Sequence, residues 1–326
     1  MGYATAARLD TSLVPMIDIG PLRDGSNPGR VAQALHQASR DVGFLYVCNH
    51  GIDPGFLAQA REEALAFFRQ SQDEKMRVAI SPQHRGFLRP GAAKMQDDAR
   101  PDLKESFVWG MEDARGQAPQ DHPLRGDNRW PADRPGLRGA ALRYLEESEA
   151  VARLLLQGFA IGLGLDRQFF LRTSARPMSR AAFVYYPPQD PSLGPNQFGV
   201  APHTDFGVLT VLCQDAVGGL QVQHADGTWF EAPPVPGSLV INVGDLLARW
   251  TNGVYRSTPH RVVNTSGQER LSLVLAFAPD PQTRVDAREV FPQQEPQAPA
   301  ITCGDYLSWR FGKAFDYRHA VDTTAR

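Results

Sequence analysis

Hydrophobic positions along this chain change rhythm near its middle. In the first half they recur at helical spacing, and in the second half they alternate. The spacing predicts an amphipathic helix over residues 27–43, with Asn27 as its cap, Pro28 in its first turn and Gly43 as its stop. A second helix is expected over 56–69, where Phe56, Ala60, Ala64, Phe67 and Phe68 share one face. The strongest helical stripe runs over 137–165 through Leu142, Leu145, Ala152, Leu155, Phe159 and Leu163. Short strands are expected at VPMIDIG (14–20), FLYVCNHG (44–51) and ESFVWG (105–110), the last inside a Pro- and Gly-rich stretch of loops over 86–133. From Arg180 to about Pro279 short alternating runs are divided by turn signals such as AVGGLQ, ADGTW, PVPGS and TNGV. A last helix is expected near 306–314.

Helices followed by closely spaced strands predict an α+β chain with an all-β core, a sandwich or barrel for which a jelly roll is one candidate. We divide it into a mostly helical region with short strands (1–175), a β core (176–281) and a C-terminal loop and helix (282–326), forming one unit. The 326 residues can bury a large core. A formal net charge of −2 gives no basic field for nucleic acid or anionic membrane. No apolar run reaches the length of a membrane span, and the N-terminus lacks the apolar stretch of a signal peptide. Cys48, Cys213 and Cys303 lie far apart, which fits buried small side chains in a reducing, cytoplasmic setting. Oligomeric state is not legible.

Chemistry enters at PHTDFGVLTVL (202–212). In a strand, positions i and i+2 face the same way, so His203 and Asp205 point to one side. An imidazole and a carboxylate are both good ligands for a divalent ion, and His260, in STPHRVVN, can complete a two-histidine, one-carboxylate triad with open positions for Fe(II). An H-x-D triplet alone arises by chance in many proteins. Ten residues past His260, RLSLVLAFAP places Arg270, Ser272, Val274 and Ala276 on one face and Leu271, Leu273, Leu275 and Phe277 on the other. Arg270 either reaches water at a strand end or, if that face is interior, requires an anionic partner. A guanidinium and a hydroxyl together match a carboxylate. An iron with open sites beside a carboxylate anchor fits a small keto-diacid, chelating the metal at one end and meeting Arg270 and Ser272 at the other.

These residues, in this order, resemble the isopenicillin N synthase-like branch of the 2-oxoglutarate- and Fe(II)-dependent dioxygenases. The likeness runs through VPMIDIG, DVGFLYVCNHGI, KESFVWG, YYPPQ, PHTDFGVLTVL, GGLQV, the long PGSLVINVGDLLARWTNGVYRSTPHRVVN and ERLSLVLAFAPD. It implies a double-stranded β-helix (jelly-roll) core with flanking helices. It also implies Fe(II) held by His203, Asp205 and His260, and 2-oxoglutarate held at its distal carboxylate by Arg270 and Ser272 with Tyr186 in contact. With O₂ as cosubstrate, the activity it implies is oxidative decarboxylation to succinate and CO₂ coupled to hydroxylation, desaturation or cyclisation of a small molecule. Val184 stands where plant members carry an asparagine. An oxidase that keeps R-x-S without using 2-oxoglutarate is the alternative within the family, and a non-catalytic jelly-roll protein with a structural zinc is the alternative outside it. Phe107, Phe206, Trp250 and Phe277 are candidate pocket walls. Segments 86–104, 196–199 and 306–318 are candidate substrate-facing loops, with Arg89, Lys94 and Arg318 as possible contacts.

Overall fold

A computed structural model describes residues 3–7, 14–92 and 100–315. The first half runs β1 (Met16–Asp18), α1 (Gly20–Arg23), α2 (Pro28–Asp41), β2 (Phe44–Cys48), α3 (Pro54–Phe68), α4 (Gln72–Met76), β3 (Gly86–Leu88), β4 (Glu105–Gly110) and α5 (Pro135–Gly162). The local chemistry sets the boundaries. The Asn27 side chain accepts the Arg30 amide, and Asp53 accepts those of Gly55 and Phe56, so α2 and α3 each begin on a filled cap with proline in the first turn. After α2 the chain turns at Gly43, whose φ is +74° and where a Cβ would lie 2.1 Å from the Arg256 carbonyl oxygen. Only glycine fits both constraints.

The second half runs β5 (Arg180–Tyr186), β6 (Val200–His203), β7 (Leu209–Cys213), β8 (Leu220–Gln223), β9 (Trp229–Glu231), β10 (Leu239–Val243), α6 (Asp245–Trp250), β11 (His260–Val262) and β12 (Arg270–Phe277). A small hairpin, β13 (Arg284–Val285) with β14 (Ile301–Thr302), leads into α7 (Cys303–Ala314). An eight-stranded sheet in the order β1-β2-β10-β7-β12-β5-β4-β3 faces a four-stranded sheet in the order β6-β11-β8-β9. This is the jelly-roll architecture that the family resemblance implies and that the turn spacing left as one candidate.

Strand alternation divides the core in two. The outer face of the large sheet, including Phe107, Trp109, Phe183, Leu271, Leu273, Leu275 and Phe277, packs with α2, α3 and α5 in the main apolar cluster. The Tyr144 hydroxyl on α5 ties the layers by donating to the Leu273 carbonyl at 2.8 Å. The inner face meets the small sheet through a lesser cluster that includes Phe44, Val184, Tyr186, Val222 and Val262. The cavity described below lies between these inner faces.

The sequence reading places the β core at 176–281. The large sheet instead takes β1, β2, β3 and β4 from the first half of the chain. The strands at 14–20, 44–51 and 105–110 were legible as strands. Their membership of the core sheet was not, because pairing with β10 and β5 is a long-range event that local periodicity does not encode.

Candidate metal centre and cosubstrate pocket

β6 and β11 are antiparallel neighbours, and their register sets His203 directly opposite His260. Their rings stand 4.3 Å apart, centroid to centroid. Asp205 follows His203 by two residues, and its Oδ1 lies 3.7 Å from His203 Nε2 and 3.8 Å from His260 Nε2. One ligand atom from each of the three converges within 4.8 Å of the others. Among the described residues this is the group of His, Cys, Asp or Glu side chains that can hold a metal ion.

Neighbouring groups orient each ligand. Asp205 Oδ2 accepts from Thr210 Oγ1 at 2.5 Å and from Asn242 Nδ2 at 2.7 Å, so Oδ1 is the oxygen left to face the histidines. His203 Nδ1 lies 2.9 Å from the Ala201 carbonyl and His260 Nδ1 lies 3.3 Å from that of Thr258. A carbonyl only accepts, so Nδ1 carries the proton and Nε2 keeps its lone pair for a metal. Burial, reinforced by His260, holds the His203 imidazole well below its ordinary pKa and therefore neutral. Burial alone would raise Asp205, but the pull of either imidazole when it is protonated, with the Asn242 and Thr210 hydrogen bonds, outweighs it and keeps the carboxyl below its ordinary value.

The triad opens into a cavity of about 200 Å³, whose floor is the inner row of β12: Arg270, Ser272, Val274 and Ala276. Arg270 is 1 % exposed. Its Nε donates to the Gly218 carbonyl at 2.5 Å, one Nη reaches Gln214 Oε1 at 3.4 Å, and its guanidinium lies 4.6 Å from the Tyr186 ring centre. The other nitrogen, Nη1, and Ser272 Oγ are buried with no hydrogen-bond partner among the described residues. Two orphaned donors on one face of this cavity match a carboxylate, which would accept from both. The donor set at each end of the cavity thus suits iron at one and a dicarboxylate at the other.

Of the candidate walls, Phe206 lines this cavity, as does Tyr186. Phe107, Trp250 and Phe277 do not, and the pocket assignment is corrected for all three. Phe107 and Phe277 occupy the odd positions of β4 and β12, which face the helices, and Phe107 packs on Phe67 at 4.9 Å. Trp250, on α6, packs on Phe169 and Phe170 and donates to Glu289. Arg89 is exposed, while Lys94 and Arg318 lie outside the described residues. The sequence reading missed Thr210 and Asn242, as well as His84 and Arg180 in the lining, whereas Leu88 and Lys104 come from the expected segment 86–104 and Phe311 and Phe315 from 306–318. The signal for Asn242 is present in LVINV, where one amide interrupts a wholly buried strand.

Two family models match in tandem. A non-haem dioxygenase N-terminal region matches residues 14–133, and the 2OG-Fe(II) oxygenase superfamily matches residues 177–279. The chain is 32 % identical over 295 residues to homoarginine-6-hydroxylase 2-ODD-C23 of Glycine max, covering 85 % of this chain and 88 % of that protein. The chain belongs to the 2OG-Fe(II) oxygenase superfamily. Validamycin A dioxygenase of Streptomyces hygroscopicus subsp. limoneus is also 32 % identical, over 84 % of this chain and 79 % of that protein. A crystal structure of a full-length Neurospora crassa protein in complex with alpha-KG and thymine superposes with a TM-score of 0.83 at 28 % identity, covering 95 % of this chain and 99 % of that one. Like these relatives, this oxygenase has a double-stranded β-helix core and is a 2-oxoglutarate-dependent Fe(II) dioxygenase that takes O₂ as cosubstrate. The readings as a 2-oxoglutarate-independent oxidase or a zinc-binding scaffold give way to it. Among the described residues no helix is long and apolar enough to cross a membrane.

Proposed function

We propose that His203, Asp205 and His260 hold the Fe(II), and that Arg270 and Ser272, with Tyr186 alongside, hold the distal carboxylate of 2-oxoglutarate. The observation that carries this reading is the pair of orphaned donors, Arg270 Nη1 and Ser272 Oγ, in the same cavity as the triad. Bound there, Fe(II) with O₂ supplies the oxidative decarboxylation of 2-oxoglutarate to succinate and CO₂ that drives oxidation of a C–H bond on a small organic substrate. The chain's own residues do the positioning. Thr210 and Asn242 fix one oxygen of Asp205, and the Ala201 and Thr258 carbonyls fix the histidine tautomers. The Arg270 fork sets how far the cosubstrate reaches from the floor. The apolar flanks Val184, Leu212, Leu220 and Val262 keep water from the space between.

We place the chain in the isopenicillin N synthase-like branch, on the order of its motifs and the tandem family match, and read residues 1–326 as one catalytic unit, since strands from both halves share a sheet. Three free cysteines support a reducing, cytoplasmic setting. The test is 2-oxoglutarate-dependent O₂ uptake and succinate release by the wild type beside His203→Ala and Arg270→Leu. His203→Ala should lose both signals, and Arg270→Leu should raise the KM for 2-oxoglutarate by about 10- to 100-fold. Undiminished turnover in His203→Ala, or an unchanged KM in Arg270→Leu, sinks the respective assignment.

A further inference from the structure

We infer that Tyr306 and Arg310 of α7 are positioning residues for the metal centre, acting through the carboxylate of Asp245. The inference rests on the proposed ligand set of His203, Asp205 and His260. Asp245 opens α6, just after β10. Its backbone amide donates to the Asp205 carbonyl at 2.7 Å. The amides on either side, of Gly244 and Leu246, donate to the carbonyls of Val208 and Gly207 at 2.9 and 3.0 Å. The main chain that carries Asp205 is thereby stitched to the start of α6.

Three groups meet the Asp245 carboxylate. Ser257 Oγ donates to Oδ1 at 2.7 Å, the Tyr306 hydroxyl donates to Oδ2 at 2.8 Å, and Arg310 Nη2 lies 3.3 Å from the same oxygen. Ser257 precedes Thr258, whose carbonyl faces His260 Nδ1. Arg310 Nη2 also lies 3.3 Å from the hydroxyl and 3.5 Å from the carbonyl of Thr204, the residue between His203 and Asp205. The guanidinium rests over the ring of Phe206, the residue that follows Asp205, at 4.1 Å. Among the described residues its hydrogen bonds all run through Nη2, and Nε is buried without one. One carboxylate and one guanidinium thus hold the segments that carry all three ligands.

Ligands bind an ion more tightly when their geometry is fixed before it arrives, because outer contacts have already met the ordering cost. The Arg310 and Asp245 side chains are 25 % and 14 % exposed, so solvent screens this pair less than it would at the surface. Removing either α7 donor leaves Oδ2 short of a partner, and removing Arg310 also frees Thr204 and Phe206. Such coupling is reciprocal: if docked α7 favours the ion, the ion favours docked α7 by the same factor. The same helix meets the cavity. Phe311, next to Arg310, lines it and stands 5.7 Å from Phe206. A substrate there touches the helix that braces the ligands.

The test is calorimetric titration of Mn(II) into the metal-free full chain, with hydrogen exchange along α7 followed before and after loading. Tyr306→Phe should weaken Mn(II) binding by about 3- to 10-fold. Arg310→Met should weaken it by about 10-fold or more, and Arg310→Lys should recover part of the loss. In an Asp245→Asn background Tyr306→Phe should add little, and full additivity there overturns the route through Asp245. Mn(II) should slow exchange in α7 of the wild type, and Tyr306→Phe should shrink that effect. Wild-type affinity in Tyr306→Phe or in Arg310→Met strikes that residue even where its urea midpoint falls, since a purely structural role lowers stability alone. Exchange in α7 that is indifferent to Mn(II) overturns the inference, and that measurement stands if a variant fails to fold. His203→Ala separates the two readings. Undiminished Mn(II) binding in it strikes the ligand set itself, whereas loss of binding there beside wild-type affinity in both α7 variants overturns the positioning role alone.

Discussion

A carboxylate with two free oxygens can swing, and Asp205 is denied that freedom because Thr210 and Asn242 occupy one of them. Outer partners of this kind set ligand orientation and basicity. Asn242→Ala should therefore weaken Fe(II) binding by about 10- to 100-fold with the three ligands intact, as read by anaerobic titration of the apoprotein. An unchanged affinity would mean that Thr210 suffices. The proposed ligands His203 and Asp205 could be picked out because they share strand parity, a property of local sequence. Asn242 was not, since its partner lies 37 residues away and only the sheet brings them together. Arg180 was hidden for a similar reason: by parity it belongs with Tyr186, but its place in the cavity lining is set by pairing with Ala276 on a strand far along the chain.

The elements show the same division between local and distant information. The cap of α2 could be read from Asn27-Pro28, whereas α3 begins on Asp53-Pro54, ahead of the expected start at Phe56; Asn27→Ala should cost about 1 kcal/mol, seen as a lowered midpoint in urea unfolding. β3 has only three residues and sits among loops, too short for alternation to register. Phe107 and Phe277 attract attention as aromatics near motifs, yet alternation alone sends them to the face opposite Ser106 and Ala276. On α5, burial raises the Glu149 carboxyl above its ordinary pKa, outweighing nearby Ser179 and Arg153. A raised carboxyl favours the folded state below the unfolded value near 4.5 and loses that contribution as pH climbs through the folded value. Glu149→Gln should accordingly gain in Tm relative to wild type as pH is raised from about 4.5 to about 7.5, in parallel thermal melts. A constant difference across that range would refute the account.

For the whole molecule, binding at the cavity is also stabilisation. A ligand at about 100 times its Kd adds about 2.7 kcal/mol to the folded state, so metal and 2-oxoglutarate together should raise the Tm, and a chelator should reverse the gain. Wild type and the His203→Ala variant should differ in that response, and an equal metal-dependent rise in both would place the ion elsewhere. A sandwich or barrel was readable from turn density after Arg180, and the motif order narrowed it to a jelly roll, but its extent was not legible.

The large sheet seats β2 between β1 and β10, and β4 beside β5, so its hydrogen bonds join segments made early to segments made late. Chains with such distant pairings lose loop-closure entropy before contacts offset it, and they fold slowly. On the ribosome, β1 to β4 emerge with an apolar face and unpaired edges long before β10 and β12 exist to cover them. A chain arrested before β11 carries His203 and Asp205 without His260 and without the neighbouring strand that sets them in register. On the proposed ligand set, iron loading would mark a finished core, since His260 arrives only with one of its last strands.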